Sequence, residues 1–463
     1  MKDKNYKIIT FIILFFGIFL RTVLLFHNKS LYCDEIMLIE NVVQGSFLDM
    51  FKPLVNTQTA PPFFLITTKF ILQIFNSDNW YIRDFVPKII PFIAGVACLP
   101  AFLKLTRTIT DNKFIILSSL FLFTFNPLTI NYCIIYKQYS LELLIAIILL
   151  YIFYNLLFKN KYKHWYLALI FFAPWLSFSS FFITFPLIIL LFFKDKKQFL
   201  SFFSVFLISS CLFYILFLHD VLTSSYGDFD QVYQELGYLT FSHPLRLPIR
   251  LGQLFASGKL LSLAWGLVTI FLLINYLFTN NPKTKKLYYY APIMCVLIAS
   301  YMHYWALVGR LFLSFLPIFI LLIVQNEYKY KYWLIKIFCI CSFIFSIHYT
   351  INPIVIHPMT AATSGRDMNA FMHKQAITNE KFVTDALEQT FAYYFKDIKN
   401  TKDLVISKNC IEYALECKEK LSNLPNGRYY FIAINKINNK TILPSNTKLL
   451  QDFQYSSIYY IEK

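Results

Sequence analysis

Apolar residues in this chain come in runs of about twenty, with no polar stripe between them, and most of the charge falls in short gaps that separate the runs. At ~1.5 Å per residue, ~20 residues cross the ~30 Å of a bilayer's hydrocarbon. The pattern therefore predicts membrane-spanning helices near 7–27, 85–103, 114–131, 140–158, 165–177, 179–193, 199–218, 260–278, 288–304, 309–325 and 332–350, which makes eleven crossings. The pair 165–177 and 179–193 is short in each half and carries Pro174 and Pro186; one long kinked helix there would reverse the parity of everything after it.

The gap charges orient the chain. Lys2, Lys4 and Lys7; Lys104, Arg107 and Lys113; Lys159, Lys161 and Lys163; Lys194, Lys196 and Lys197; Lys283, Lys285 and Lys286; and Lys329 and Lys331 all fall on one side. The other side, near 132–139 and 303–309, is almost uncharged. Basic loops stay inside, so the N-terminus is predicted inside and the C-terminus outside. The Lys-rich start followed by Ile8–Phe26 reads as an uncleaved first helix, because no small-residue cleavage site follows it.

Three outer segments are long: 28–84, 219–259 and the tail 351–463. The tail alternates apolar and polar residues over Lys381–Thr384 and Arg428–Ile434, with a helix-like run from Asn409 to Leu421 between them. The expected fold class is an all-α polytopic membrane protein over 1–350 with a small C-terminal α/β extracytoplasmic domain over 351–463. No internal repeat is visible, which weakens a transporter reading.

Composition agrees. The 463 residues are 57% hydrophobic, with 51 Phe, 32 Tyr and 11 Gly, which excludes a disordered chain. The net charge of +17 does not imply nucleic acid, because no basic module stands apart from the membrane segments. Most of the nine Cys lie in apolar runs and read as small core residues. Cys410 and Cys417 share the polar tail. A disulfide is open there, but a spacing of seven along a helix puts them about two turns apart and favours free thiols. No CxxC or His-Cys cluster suggests a metal.

The candidate chemistry starts in the first outer loop. Leu31-Tyr32-Cys33-Asp34-Glu35 follows the first helix directly. A carboxylate half-shielded at a membrane surface suits a base. The plainer reading is that Asp34 and Glu35 favour the dipole of a helix beginning there. Asn56-Thr57-Gln58-Thr59-Ala60-Pro61-Pro62 then leads into Phe63–Phe75, too short to cross and so expected along the membrane face. Further on, Lys137, in Tyr136-Lys137-Gln138-Tyr139-Ser140, breaks the basic-inside trend. It either snorkels or faces a phosphate. Arg310, in Leu307-Val308-Gly309-Arg310-Leu311-Phe312, opens an apolar helix, where an arginine by default marks a site; His303 and Tyr304 lie nearby. Arg21 and Glu142 also fall in predicted helices, where a pairing between them or a site role both stay open.

Taken in order, these motifs resemble the membrane-integral GT-C glycosyltransferases, in particular glycosyltransferase family 39, the protein O-mannosyltransferases, with the bacterial lipid A aminoarabinose transferases as more distant kin. The resemblance rests on Asp34-Glu35 after helix one, Pro61-Pro62-Phe63, Asp84 with Lys88 opening helix two, Lys137 with Tyr139 and Ser140 at helix four, and Gly309-Arg310-Leu311 with Pro317 late in the chain. It implies transfer of a sugar from a polyprenyl-phosphate carrier to an acceptor on the extracytoplasmic face of a cell (inner) membrane, with inversion. In such enzymes the Asp is the proposed base, which falls on Asp34, and the Glu, here Glu35, helps hold substrate. The carrier phosphate falls to Lys137 and Arg310, with Gln58, Tyr139, Lys88 and His303 as further substrate-binding candidates. Lys137 and Lys88 stand where many relatives have Arg. Ala60 stands where aminoarabinose transferases have a phosphate-binding Lys, which argues against that sugar. The expected partners are the lipid-linked sugar donor, membrane lipids and an acceptor left unnamed. A divalent cation on Asp34 and Glu35 stays open. The competing readings are a transporter or flippase of lipid-linked sugars and a polysaccharide polymerase or ligase.

Overall fold

The computed structural model describes residues 3–224 except 57 and 78, residues 237–325 except 241–242 and 257–258, and residues 333, 335–337 and 339–344. In the tail it describes 365–375, 382–384, 393–395, 421, 423–424, 427–433, 443, 447–452 and 457–462. The chain divides into two compact units.

The first unit, 1–26, 42–74 and 87–356, is helical. Its helices are α1 (Asp3–His27), the end of α2 (Cys33–Gln44), α3 (Pro62–Ile74), α5 (Ile89–Ile109), α6 (Lys113–Thr124), α7 (Pro127–Tyr132), α8 (Tyr139–Phe158), α9 (Trp165–Leu176), α10 (Ser180–Phe192), α11 (Lys196–Phe213), α12 (Arg246–Gly252), α13 (Lys259–Leu277), α14 (Lys283–Tyr301) and α15 (Leu316–Gln325). The short α4 (Trp80–Phe85) belongs to the second unit.

The polar gaps start the helices. Asn112 accepts hydrogen bonds from the Phe114 and Ile115 amides, Asn126 from Leu128 and Thr129, and Asp195 from Lys197 and Gln198. Each side chain satisfies donors that a helix start leaves open. Five helical runs are long and apolar enough to span a bilayer: Asp3–His27, Trp80–Ile109, Tyr139–Phe158, Lys196–Ser224 and Lys259–Leu277. They match five of the eleven predicted crossings and make this a membrane protein. The other apolar helices among the described residues, such as Lys113–Thr124 and Leu313–Gln325, are shorter. The fourth run passes residue 218, where the sequence pattern ended it, through a π turn at Tyr214–Leu218.

The 165–193 region forms two helices. Ser177 is extended between α9 and α10, and the Glu142 carboxylate accepts the Phe178 amide at 3.2 Å across the break. Arg21 is fully buried and donates to the Gly17 carbonyl (2.9 Å), the Thr124 carbonyl (3.1 Å) and the Thr129 hydroxyl (2.9 Å). The two charged residues therefore do not pair; each satisfies main chain where helices end or bend.

The second unit holds 27–41, 75–86 and 357–463. Its sheet has β1 (Phe382–Thr384), β2 (Arg428–Ala433), β3 (Thr447–Asp452) and β4 (Ser457–Glu462) in the order β1-β2-β4-β3. β1 and β2 run parallel and the other pairs antiparallel, with a register shift in β3 between Leu449 and Gln451. Both alternating stretches of the tail are strands, as the period-2 pattern requires. Tyr429, Phe431 and Ala433 point to one face and meet Val383, Leu424, Tyr459 and Ile461 in a core. One helix, α16 (Gly365–Lys374), is described ahead of the sheet. Of the helix-like run 409–421 only Leu421 falls within the described residues; Cys410 and Cys417 lie outside them.

Candidate functional site

The acidic turn belongs to the second unit. After α1 the chain reverses through Asn28, whose φ of 41° lies in the left-handed region that Asn tolerates better than most residues. The Asn28 side chain donates to the Tyr81 carbonyl at 2.8 Å. The chain then enters α2, with Cys33, Asp34 and Glu35 as its first three residues. Glu35, buried, reaches back to accept the Tyr32 amide at 3.1 Å. That contact closes the first turn and is the backward half of a capping box. A helix does begin at these acids, as the sequence pattern predicts. Asp34, beside Glu35, is half-buried.

Two segments distant in sequence grip this turn. The Leu31 amide donates to the Tyr394 hydroxyl at 2.6 Å, and that hydroxyl lies 3.1 and 3.2 Å from the two oxygens of Asp84. Asp84 is fully buried in α4, and Arg366 approaches it at 3.6 Å. The Arg366 amide donates to the Ser30 hydroxyl at 3.4 Å. Burial, and then the Asp84 charge, push the Tyr394 phenol well above the usual tyrosine range, so it remains a hydrogen-bond donor at any physiological pH.

The basic candidates belong to the first unit. Lys137, buried in the bend between α7 and α8, donates to Gln58 Oε1 at 2.6 Å. Two predicted substrate residues 79 positions apart are thus in direct contact. The Pro61-Pro62 step explains the approach: it starts α3, and Phe64 stacks on Tyr136 with ring centroids 5.6 Å apart. Tyr139 packs edge-on against Tyr132 at 5.2 Å. His303, at a φ of 63°, stacks nearly parallel on Tyr238 at 4.7 Å. Lys88 is buried immediately before α5.

Sequence reasoning missed two arginines here. Arg246 and Arg250 sit one turn apart on α12; Arg246 donates to the Tyr238 carbonyl at 2.9 Å and Arg250 to Gln253 at 3.0 Å. Gln253 also lies beside Gly309, next to Arg310. Burial, and then the Arg246 charge, lower the affinity of the Arg250 guanidinium for its proton. A signal existed, since Arg-x-x-x-Arg in a predicted outer segment breaks the basic-inside trend just as Lys137 does. Asp84 and Tyr132 were likewise not site candidates. Among the described residues no group of three or more His, Cys, Asp or Glu could hold a metal ion.

The fold is shared with a solved membrane-protein structure. The chain superposes on ArnT from Cupriavidus metallidurans bound to undecaprenyl phosphate with a TM-score of 0.52 at 8% identity, covering 99% of this chain and 98% of that one. An archaeal oligosaccharyltransferase, AglB from Archaeoglobus fulgidus in complex with an inhibitory peptide and a dolichol-phosphate, aligns at a TM-score of 0.49 and 12% identity, over 94% of this chain and 70% of that one. No family model matches the sequence, and no curated protein matches it. The first likeness establishes the fold.

Proposed function

We propose that this protein is a membrane glycosyltransferase that moves a sugar from a polyprenyl-phosphate carrier to an acceptor on the extracytoplasmic face of a cell membrane. The observation that carries the reading is the Lys137–Gln58 contact, a buried ammonium held in place where the resemblance puts the carrier phosphate. A further feature supports it: a carboxylate, Asp34, in the first turn of α2 just after the first spanning helix.

A lipid-phosphate sugar is already activated. The acceptor oxygen attacks the anomeric carbon, the bond from that carbon to the phosphate oxygen breaks, and the electron pair leaves with the phosphate. Lys137 and Arg310 stabilise the charge that develops on the leaving group, with Gln58 and Tyr139 orienting them. Arg246 and Arg250 join this cationic set, and Lys88 and His303 are further substrate-binding residues. Asp34 takes the proton of the acceptor hydroxyl, and Glu35 fixes the turn on which Asp34 stands. A single displacement inverts the anomeric centre, as in glycosidases that act in one step. ArnT, whose fold this chain shares, has been seen bound to undecaprenyl phosphate, which is the carrier chemistry proposed here.

A transport path would be lined by the membrane charges Arg21, Glu142 and Arg310, whereas Arg21 and Glu142 hold main-chain groups at helix ends. The test is turnover by the purified protein in vesicles with a panel of undecaprenyl-phosphate-linked sugars. Release of undecaprenyl phosphate with an inverted glycoside supports the proposal. Movement of intact donor across the bilayer without cleavage overturns it.

A further inference from the structure

We infer that the C-terminal tail is a working part of the acidic turn, and that Tyr394 positions Asp34 for its reaction. The inference rests on the proposed role of Asp34 as base. Its geometry is a chain of contacts that starts three residues before Asp34: the Leu31 amide donates to the Tyr394 hydroxyl at 2.6 Å, and that hydroxyl donates to the buried Asp84 at 3.1 and 3.2 Å, with the Leu31 carbonyl further off at 3.4 Å. Arg366 completes the arrangement from α16, its guanidinium 3.6 Å from Asp84 and its amide on the Ser30 hydroxyl. The aromatic surroundings are equally fixed. Trp80 packs on the rings of Tyr393 (5.3 Å) and Tyr394 (5.6 Å), and the Arg83 guanidinium covers Trp80 at 4.5 Å.

This arrangement asks more of the tail than folding stability. A tyrosine hydroxyl has one hydrogen and can accept another, so Tyr394 meets the needs of a buried backbone donor and a buried carboxylate at once. The side chain that does so comes from a position 363 residues beyond Leu31. Replacing the hydroxyl takes one hydrogen-bond partner from each group in a dry environment, and the relief we expect is movement of the Ser30–Cys33 turn. Asp34 follows that turn. Because the efficiency of a base depends on sub-ångström placement, the loss appears in the chemical step and not in donor binding.

Tyr394→Phe keeps the ring packing and removes only the hydroxyl; Asp84→Asn removes the charge that anchors it. For both full-length variants, kcat is expected to fall about 10–100-fold with KM for the lipid-linked donor within about twofold, since a ~1 Å misplacement costs ~10²-fold. Hydrogen exchange in peptides covering 28–36 is expected to speed up in both, and the double variant to be no worse than either alone. Faster exchange with unchanged kcat, a rise in KM with kcat intact, or unchanged exchange each overturns the inference. If the wild-type protein cleaves no donor of the panel, the functional reading has failed, and the exchange data alone decide whether Tyr394 holds the turn.

Discussion

Lys137→Met removes the buried charge but keeps most of the side-chain volume, which makes it the sharpest probe of the cationic group. Lys137 is 5% exposed, so water screens it little, and Gln58 holds its ammonium at 2.6 Å. A preorganised donor aimed at developing charge in such a site is worth about 2.7–4 kcal/mol, or ~10²–10³ in kcat. Part of the wild-type bond is lost without cost, since the methionine no longer needs Gln58. Gln58 itself, half-exposed, regains water. The net expectation is therefore the catalytic term: kcat lower by ~10²–10³ and thermal stability changed by less than about 1 kcal/mol. Lys137→Arg keeps the charge but replaces a point ammonium with a planar fork, and about a tenfold loss is expected. Gln58→Leu removes the acceptor that holds the ammonium at 2.6 Å and should cost about tenfold through misorientation. The assay is initial-rate release of undecaprenyl phosphate in vesicles at saturating donor. A Lys137→Met protein with kcat within twofold of wild type would refute the reasoning.

Three other outcomes follow from the packing. Gly266→Leu should lower both the yield of folded protein and turnover, because a side chain there meets the Pro248 carbonyl and drives apart α12 and α13, whose backbones touch at Gly252 and Gly266; normal purification and rate would contradict this contact. Arg21→Ala removes the buried donor to the Gly17 and Thr124 carbonyls and leaves the Thr129 hydroxyl only its main-chain partners Phe123 and Asn126, so a loss of about 2–5 kcal/mol is expected in detergent unfolding, against no change if Arg21 only lined a path. Phe431→Ala empties the centre of the sheet core and should cost about 3–5 kcal/mol; limited proteolysis would then cut the tail while leaving the spanning helices intact.

The membrane helices were legible because burial in lipid demands long unbroken apolar runs, and the alternation of the tail strands was legible because each has one face on a core. The Asp34-Glu35 pair was visible as two acids after a spanning helix, but its division of labour was not. Only the fold shows that Glu35 turns back to the Tyr32 amide. Asp84, read from sequence as an acidic step at the start of helix two, proved to be the anchor of Tyr394, a contact 310 residues apart that no local pattern encodes. Arg21 and Glu142 show the converse. A charge inside an apolar run reads as a site, yet main-chain groups freed at helix ends need partners too, and nothing in a linear pattern separates the two uses. The pair Arg246 and Arg250 was overlooked for a simpler reason: α12 is seven residues long and carries two charges, so hydropathy hides it inside a loop.

The most direct measurement is single-turnover transfer by Asp34→Asn at saturating donor, together with binding of undecaprenyl phosphate to the same protein. An amide fits the space of the carboxylate but accepts no proton, and the loss of a general base is worth ~10²–10⁴-fold. The account predicts a fall of that size with binding of the lipid phosphate within twofold of wild type. Transfer at the wild-type rate by Asp34→Asn would contradict it.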